Sequence, residues 1–335
     1  MVDQKKIAEV AGVSAATVSR AFTQAANVSP KTMARIQRAM EQLGLQPIVC
    51  LPKEAKRRTK HVLIICNDIA NYFFSFVLKG ICDQLIAMGL LPVVCNSGNN
   101  FLIEESHINY ADANHYLGVI FITATETPAL SALLQRISLP VILVNRYIHS
   151  IEKDTVSIDN YRGGYMAACH LVERGHRRIA YVATYKNSTP QDDRIKGFSA
   201  AIEEQCNARY PIHYKIFYGD SSIERGYLFG TELIQQGLPY TALFVADCQV
   251  AVGIVNALQH NGYSIPKDMS ILCFDDSVSI SEYGLNLSTI TYDPYSLGKT
   301  AATHLMNRWE SDRDDIIHID LMPKLIERQS VKNIK

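Results

Sequence analysis

Arg20 is the first residue of this chain whose chemistry is specific, because a guanidinium can donate two parallel hydrogen bonds to O6 and N7 of a guanine. It stands in Ser14-Ala15-Ala16-Thr17-Val18-Ser19-Arg20. Ser14 is a good helix cap, and Val18, Ala21 and Phe22 recur at helical spacing on an inward face. At the start of that helix Ala15 and Ala16 can offer a base only methyl groups, whereas Thr17, Ser19 and Asn27 suit phosphate oxygens. A second set of polar residues follows apolar, strand-like runs. Asp247 comes after Phe244-Val245 and Asp275 after Ile271 to Phe274, where a carboxylate can accept from hydroxyls. Other chemistries are not encoded. There is no Gly-rich phosphate loop, Ser-His-Asp order or zinc-protease motif. His170, Glu173 and His176 do not share one helical face, with Gly175 breaking the helix before His176. No catalytic residue, metal site or cofactor is therefore expected. The eight cysteines contain no C-x-x-C and read as buried thiols.

The elements that position these residues fall into two parts of opposite charge. The first sixty residues hold eleven Lys and Arg against four Asp and Glu, and the remainder 22 against 29, so the formal neutrality of the chain (33 against 33) conceals a basic head. Such a head suits a polyanion through counterion release, although a solvated charged face has the same composition. Ile7, Ala8, Val10 and Ala11 supply the apolar face of a first helix ended by Gly12. Ser14 opens the second, and Ser29 with Pro30 opens a third whose stripe is Met33, Ile36, Met40 and Leu43. That is the order of a helix-turn-helix, whose second helix enters the major groove. A three-helix protein-interaction module is the alternative. From His61 onward apolar runs alternate with helix-length segments: Val62 to Cys66, Leu91 to Cys95, Val119 to Ile122, Val141 to Val144, Ile179 to Val182, Ala242 to Val245 and Ser270 to Phe274. The pattern predicts parallel sheets covered by helices, in two lobes, with a crossing at Val156 to Asn160. Ligands of open parallel sheets collect beyond the carboxyl ends of the strands.

These segments resemble one family along nearly the whole chain. Ile7-Ala8-Glu9-Val10-Ala11-Gly12-Val13-Ser14, Thr17-Val18-Ser19-Arg20 and Val28-Ser29 are similar to the head of the lactose/galactose-repressor (LacI/GalR) family of bacterial transcription regulators. Further on, Gly175-His176-Arg177-Arg178, Arg194-x-x-Gly197-Phe198, Phe274-Asp275-Asp276 and Thr289 to Gly298 resemble the core signature of the same family. The resemblance implies an all-α helix-turn-helix head (1–46), a linker (47–60) and an α/β two-lobed domain like that of periplasmic binding proteins (61–335), with three crossovers. Lobe 1 would be 61–160 and 290–321, and lobe 2 161–289 and 322–335. It also implies a homodimer on a near-palindromic double-stranded DNA operator and a small-molecule effector between the lobes. Asn71, Phe73 and Phe74 resemble the family's Asn-Pro-Phe-Phe turn at the cleft, Arg146 follows a strand where Asp-Arg is common, and Arg194 reaches the cleft from lobe 2. For each of these a structural role is the alternative: helix-start core packing for the phenylalanines, interlobe or surface salt bridging for the arginines and aspartates. Two departures mark the pocket as atypical: Ala246 precedes Asp247 where Asn is frequent, and Ser221 stands where an aromatic often stacks.

The linker departs further. Pro52 disrupts the short hinge helix usual in the family, and Glu54 stands where a leucine would wedge into the minor groove. Lys53, Lys56, Arg57, Arg58 and Lys60 form a basic run instead, expected to be disordered or extended without DNA and to reach phosphates or the minor groove through cations such as Lys53 and Arg57, with a plain solvated tether as the alternative. No charge-free apolar run spans a bilayer, and Met1 to Lys6 lack a secretory pattern, so no membrane partner and a cytoplasmic location are expected. No leucine-heptad tail follows Arg328, which disfavours a coiled-coil tetramer. The whole predicts a ligand-responsive repressor. A transport-type sugar-binding protein and an α/β enzyme of a phosphorylated or nicotinamide-linked substrate are the rivals.

Overall fold

The computed structural model describes residues 4–23, 29–43, 59–186, 188–206, 211–276, 284–311 and 315–335. The chain divides into two units, Met1–Thr59 and Lys60–Lys335. Asn27 and most of the expected linker, including Lys53 and Arg57, lie outside the described residues.

In the first unit α1 (Gln4–Ala11), α2 (Ala15–Thr23) and α3 (Pro30–Gln42) enclose Ile7, Ala11, Val18, Ala21, Ile36 and Met40. The turn between α1 and α2 depends on Gly12, whose φ of +61° is the left-handed region that glycine adopts without a Cβ clash. The Arg35 guanidinium locks it from α3 by donating to the Gly12 carbonyl at 2.9 Å. Ser14 caps α2 by accepting from the Thr17 amide at 3.1 Å, and Ser29 caps α3 by accepting from Thr32 at 3.2 Å. One expectation fails: Val10 is 45 % exposed, because the buried face is centred among Ile7, Ala8 and Ala11 and Val10 lies about 105° around the helix from that centre.

The second unit holds two six-stranded sheets. The first has the order β11-β5-β4-β3-β1-β2, built from β1 (His61–Cys66), β2 (Leu91–Asn96), β3 (Gly118–Ile122), β4 (Val141–Val144), β5 (Asp154–Ile158) and β11 (His318–Leu321). The second has the order β12-β10-β9-β8-β6-β7, from β6 (Arg178–Val182), β7 (His213–Phe217), β8 (Ala242–Val245), β9 (Ser270–Phe274), β10 (Ser288–Thr291) and β12 (Lys324–Ile326). Pairing is parallel throughout except β10 with β12, which is antiparallel. Helices α4 (Tyr72–Ala87), α5 (Phe101–Ala113), α6 (Pro128–Arg136) and α11 (Pro294–Glu310) cover the first sheet. The second is covered by α7 (Asn160–Glu173), α8 (Thr189–Gln205), α9 (Ile223–Gln235) and α10 (Cys248–His260). The near-continuous apolar strands follow from burial on both faces.

The chain passes between the lobes three times: after β5, between β10 and α11, and between β11 and β12. The second passage differs from expectation. Ser288–Thr291 pairs with β9 and belongs to the second lobe, so the return starts only after Thr291. Likewise Val156–Ile158 is more than a connector, being the buried end of β5. Among the cysteines Cys66, Cys95 and Cys273 are buried, but Cys206 is exposed, against the uniform expectation of buried thiols. No described helix is long and apolar enough to cross a membrane.

Candidate DNA-binding face and ligand cleft

In the first unit the N-terminal end of α2 presents Ser14, Ala15 and Ala16, all exposed, with Thr17 and Ser19 half-buried. Ser14 and Thr17 share a hydrogen bond of 2.8 Å between their hydroxyls, which holds the first turn in place. Arg20 lies on α2, one turn after Ala16; its side chain is outside the described residues. A short helix fixed by Gly12 and Arg35, with small side chains at its exposed start, lets backbone approach a groove closely.

In the second unit the strand ends converge on Arg194. This residue sits in α8, which crosses α7 at the closest approach backbones allow. A Cβ on Gly164 would lie 1.9 Å from the Arg194 carbonyl oxygen, and one on Gly197 1.8 Å from that of Tyr161. With α8 so placed, the Arg194 guanidinium donates from Nε to Asn160 Oδ1 at 2.8 Å and from Nη1 to the Ala246 carbonyl at 3.2 Å. Its flat face lies 3.6 Å from the centre of the Phe274 ring. Three elements, the start of α7 and the ends of β8 and β9, thereby meet on one side chain.

Asp275 follows β9 with φ of +71°, and its Oδ1 is enclosed without a partner. Burial pushes its carboxyl up to about 6, against the pull of Arg194, with the Tyr292 phenol beside it. The next carboxylate, Asp276, is held by both terminal nitrogens of Arg328 at 2.9 and 2.7 Å, which leaves Asp275 as the one of the pair that faces the Arg194 site. Asp247 caps α10, accepting from the Gln249 amide at 2.8 Å and from the Ser221 hydroxyl at 2.6 Å. Arg146 follows β4. Its Nε is buried and unpartnered, and its pKa is lowered by burial first and by the charge of Arg194 second. The neighbouring Asn145 has φ of +69° and an equally unpartnered Oδ1.

Phe73 and Phe74 begin α4 with ring centres 5.3 Å apart, and Phe73 meets Tyr292 edge-on at 5.6 Å. Both also pack on the core, the structural role that stood as the alternative for them. Asn71 is the N-cap of α4, its carbonyl oxygen accepting from the Phe73 and Phe74 amides at 3.0 and 3.4 Å. That oxygen is committed to the helix, and only its amide nitrogen is left to serve a ligand. The structure thus groups Arg146, Arg194, Asp247 and Asp275 electrostatically, and joins Phe73 to them through Tyr292. Sequence reasoning missed Asn160, Tyr292, Phe274 and the Ala246 carbonyl as partners of the site. Asn160 and Phe274 stood inside segments already singled out, next to Asp159 and Asp275, but nothing in their spacing pointed to Arg194. His170 and His176 are both buried, and His176 bridges Thr241 Oγ1 and the Lys332 carbonyl at 3.0 and 3.2 Å.

Two bonds tie the lobes together beside this cleft. The Tyr147 hydroxyl, next to Arg146, donates to Asp193 Oδ2 at 3.0 Å, and the Thr189 hydroxyl donates to the Tyr147 carbonyl at 3.4 Å. Burial and Asp193 together push the Tyr147 phenol up to about 12.

A three-helix head of helix-turn-helix order on a two-lobed binding-protein fold defines a ligand-binding DNA regulator as the class of molecule. Residues 5–47 match the family described as bacterial regulatory proteins, lacI family, and residues 168–331 a periplasmic binding protein-like domain. The chain is 28% identical over 331 residues to the HTH-type transcriptional regulator RegA of Clostridium saccharobutylicum, covering 97% of this chain and 98% of that one. It is equally 28% identical over 334 residues to the HTH-type transcriptional repressor PurR of Pectobacterium carotovorum subsp. carotovorum (strain PC1), covering 99% of this chain and 97% of that one. In fold it is similar to a transcriptional regulator CelR–cellobiose complex, with a TM-score of 0.73 at 24% identity, covering 98% of this chain and 100% of that one. A LacI-family regulator from Enterococcus faecium with bound ribose gives 0.71 at 27% identity, covering 82% of this chain and 100% of that one.

Proposed function

We propose that this transcription regulator is a repressor whose operator affinity is set by a small polar ligand held between the lobes of its second unit. Arg146, Arg194, Asp247, Asp275 and Phe73 are the residues assigned to the ligand, with Asn71 and Phe74 supporting α4 at the cleft edge. Ser14, Ala15, Ala16, Thr17, Ser19 and Arg20 are assigned to the operator, with Asn27, Lys53 and Arg57 on phosphates. The observation that carries the reading is the convergence of Arg194, Asp275 and the unpartnered Arg146 beyond the strand ends, in a chain whose other unit is a helix-turn-helix head. Relatives that hold cellobiose or ribose favour a sugar or sugar derivative, and a nucleoside satisfies the same donors and acceptors.

The protein acts by binding, in the cytoplasm, as a homodimer on a near-palindromic site. Dimer formation is supported by apolar side chains left exposed at the β2 edge of the first sheet, Leu91 and Val94, and on α9, Ile223 and Leu228. Ligand binding favours one interlobe angle and so redistributes the population between operator-competent and incompetent states. Fluorescence anisotropy on DNA flanking its own gene, at fixed salt and with sugars and nucleosides added singly, tests this. At least one ligand that binds the second unit must change operator affinity; a family of ligands that all bind and none of which changes it refutes the mechanism.

A further inference from the structure

Arg146 and Arg194 are two guanidiniums in one cleft, and among the described residues neither is in an ion pair. Arg194 satisfies Nε and Nη1 on neutral acceptors, Asn160 and the Ala246 carbonyl. Arg146 keeps a buried Nε with no acceptor at all. A guanidinium nitrogen buried without an acceptor is costly, and the repulsion between the two guanidiniums adds to the cost. Asp275 attracts Arg194, but among the described residues no nearby carboxylate offsets Arg146. Asp247 is engaged by the Ser221 hydroxyl and by two amides at the start of α10, and Asp275 is enclosed with the Tyr292 phenol beside it. Directly before Arg146 stands the neutral Asn145, whose Oδ1 is likewise open.

We propose that the ligand of this cleft is an anion, a carboxylate or phosphate carried on a hydroxylated frame, with its charged group received by Arg146 and Arg194. The proposal rests on the ligand-responsive reading above and narrows it. Guanidinium forks match both anions with paired, charge-assisted bonds. The hydroxyls of the same ligand then meet Asp275 as an acceptor and Asn145 as either donor or acceptor. A neutral sugar in the same place would bring no charge to offset that of Arg146.

Calorimetric titration of the full-length protein with matched probes tests this: D-glucose, D-gluconate, D-glucuronate and glucose 6-phosphate, then D-ribose and ribose 5-phosphate. An acid or phosphate is expected to bind about tenfold to a hundredfold more tightly than its neutral parent, the range of one charge-assisted bond. Whether the acids or the phosphates show the preference decides between the two anions. In Arg146→Gln the preference disappears, while Arg146→Lys, which keeps the charge without the fork, retains part of it. The unliganded Arg146→Gln protein is also expected to melt no lower than the parent, since it loses a buried donor without an acceptor and the repulsion from Arg194. Equal binding of neutral and anionic probes, a preference that survives Arg146→Gln, or no binding by any acid or phosphate overturns the proposal. A neutral sugar that binds and shifts operator affinity would overturn this inference alone and leave the regulatory reading standing.

Discussion

Asp275 shows how one side chain records what its site is for. Its carboxyl is raised to about 6 by burial, with Arg194 restraining the rise. A carboxyl raised in the folded state stabilises the fold fully at pH below its unfolded value, and that contribution is lost as pH climbs through the folded value. The window therefore runs from about pH 4 to pH 6, the reverse of an ordinary ion-paired aspartate. Asp275→Asn, which keeps the shape, should stabilise the protein at pH 7.5 by on the order of 2 kcal/mol and do nothing at pH 3.5. Urea midpoints of parent and variant across that range give the comparison; curves that stay parallel would contradict it. At the other end of the chain Arg20→Ala is expected to cost about 1–3 kcal/mol of operator binding while leaving affinity for random DNA nearly unchanged. Competition titrations with operator and scrambled duplexes read both numbers, and an equal loss on both would reassign Arg20 to a phosphate.

Elements place these residues, and much of that placement was legible. Gly12 followed by Ser14 marks a turn and a cap wherever it stands before an apolar stripe, and both positions hold. Arg194 and Gly197 lie three residues apart because the first must reach the cleft while the second lets α8 touch α7. What escaped the sequence escaped for physical reasons. Ser288–Thr291 is polar in composition, so its pairing with β9 was hidden until neighbouring strands supplied the register. His213–Phe217 is an edge strand of mixed exposure, without the apolar run that marked the central strands. Asn71 carries a side chain fit for a ligand, yet local amides claimed its oxygen, a competition that sequence does not resolve. The α7–α8 contact yields its own prediction. A methyl at Gly164 collides with backbone that has no rotamer to escape into, so Gly164→Ala should lower stability by about 1–3 kcal/mol, as overpacking does, and displace Arg194. Thermal melts should show the first effect and weakened ligand binding the second; full stability would mean that the helices part more easily than the geometry allows.

At the scale of the whole molecule the question is how a ligand between two lobes reaches a head in another unit of the chain. Tyr147 is the side chain best placed to report on the lobe side of that coupling. It follows Arg146 directly, and it joins the first lobe to α8 of the second through Asp193 and Thr189. On the assignment proposed above, a ligand held by Arg146 and Arg194 would act on the two ends of the same interlobe contact. Tyr147→Phe removes the hydroxyl and keeps the ring, so only the bond to Asp193 is lost, a loss of about 1 kcal/mol that favours the arrangement in which the lobes are apart. Operator affinity measured without ligand and at saturating ligand gives a coupling factor, and linkage requires that operator change ligand affinity by that same factor. In the variant the factor should change by roughly fivefold, equally in both directions of the cycle. The dependence of operator binding on salt should not change, because the head and its phosphate contacts are untouched. An altered salt slope would place Tyr147 in DNA contact, and an unaltered coupling factor would show that the lobes set the head by some contact other than this one.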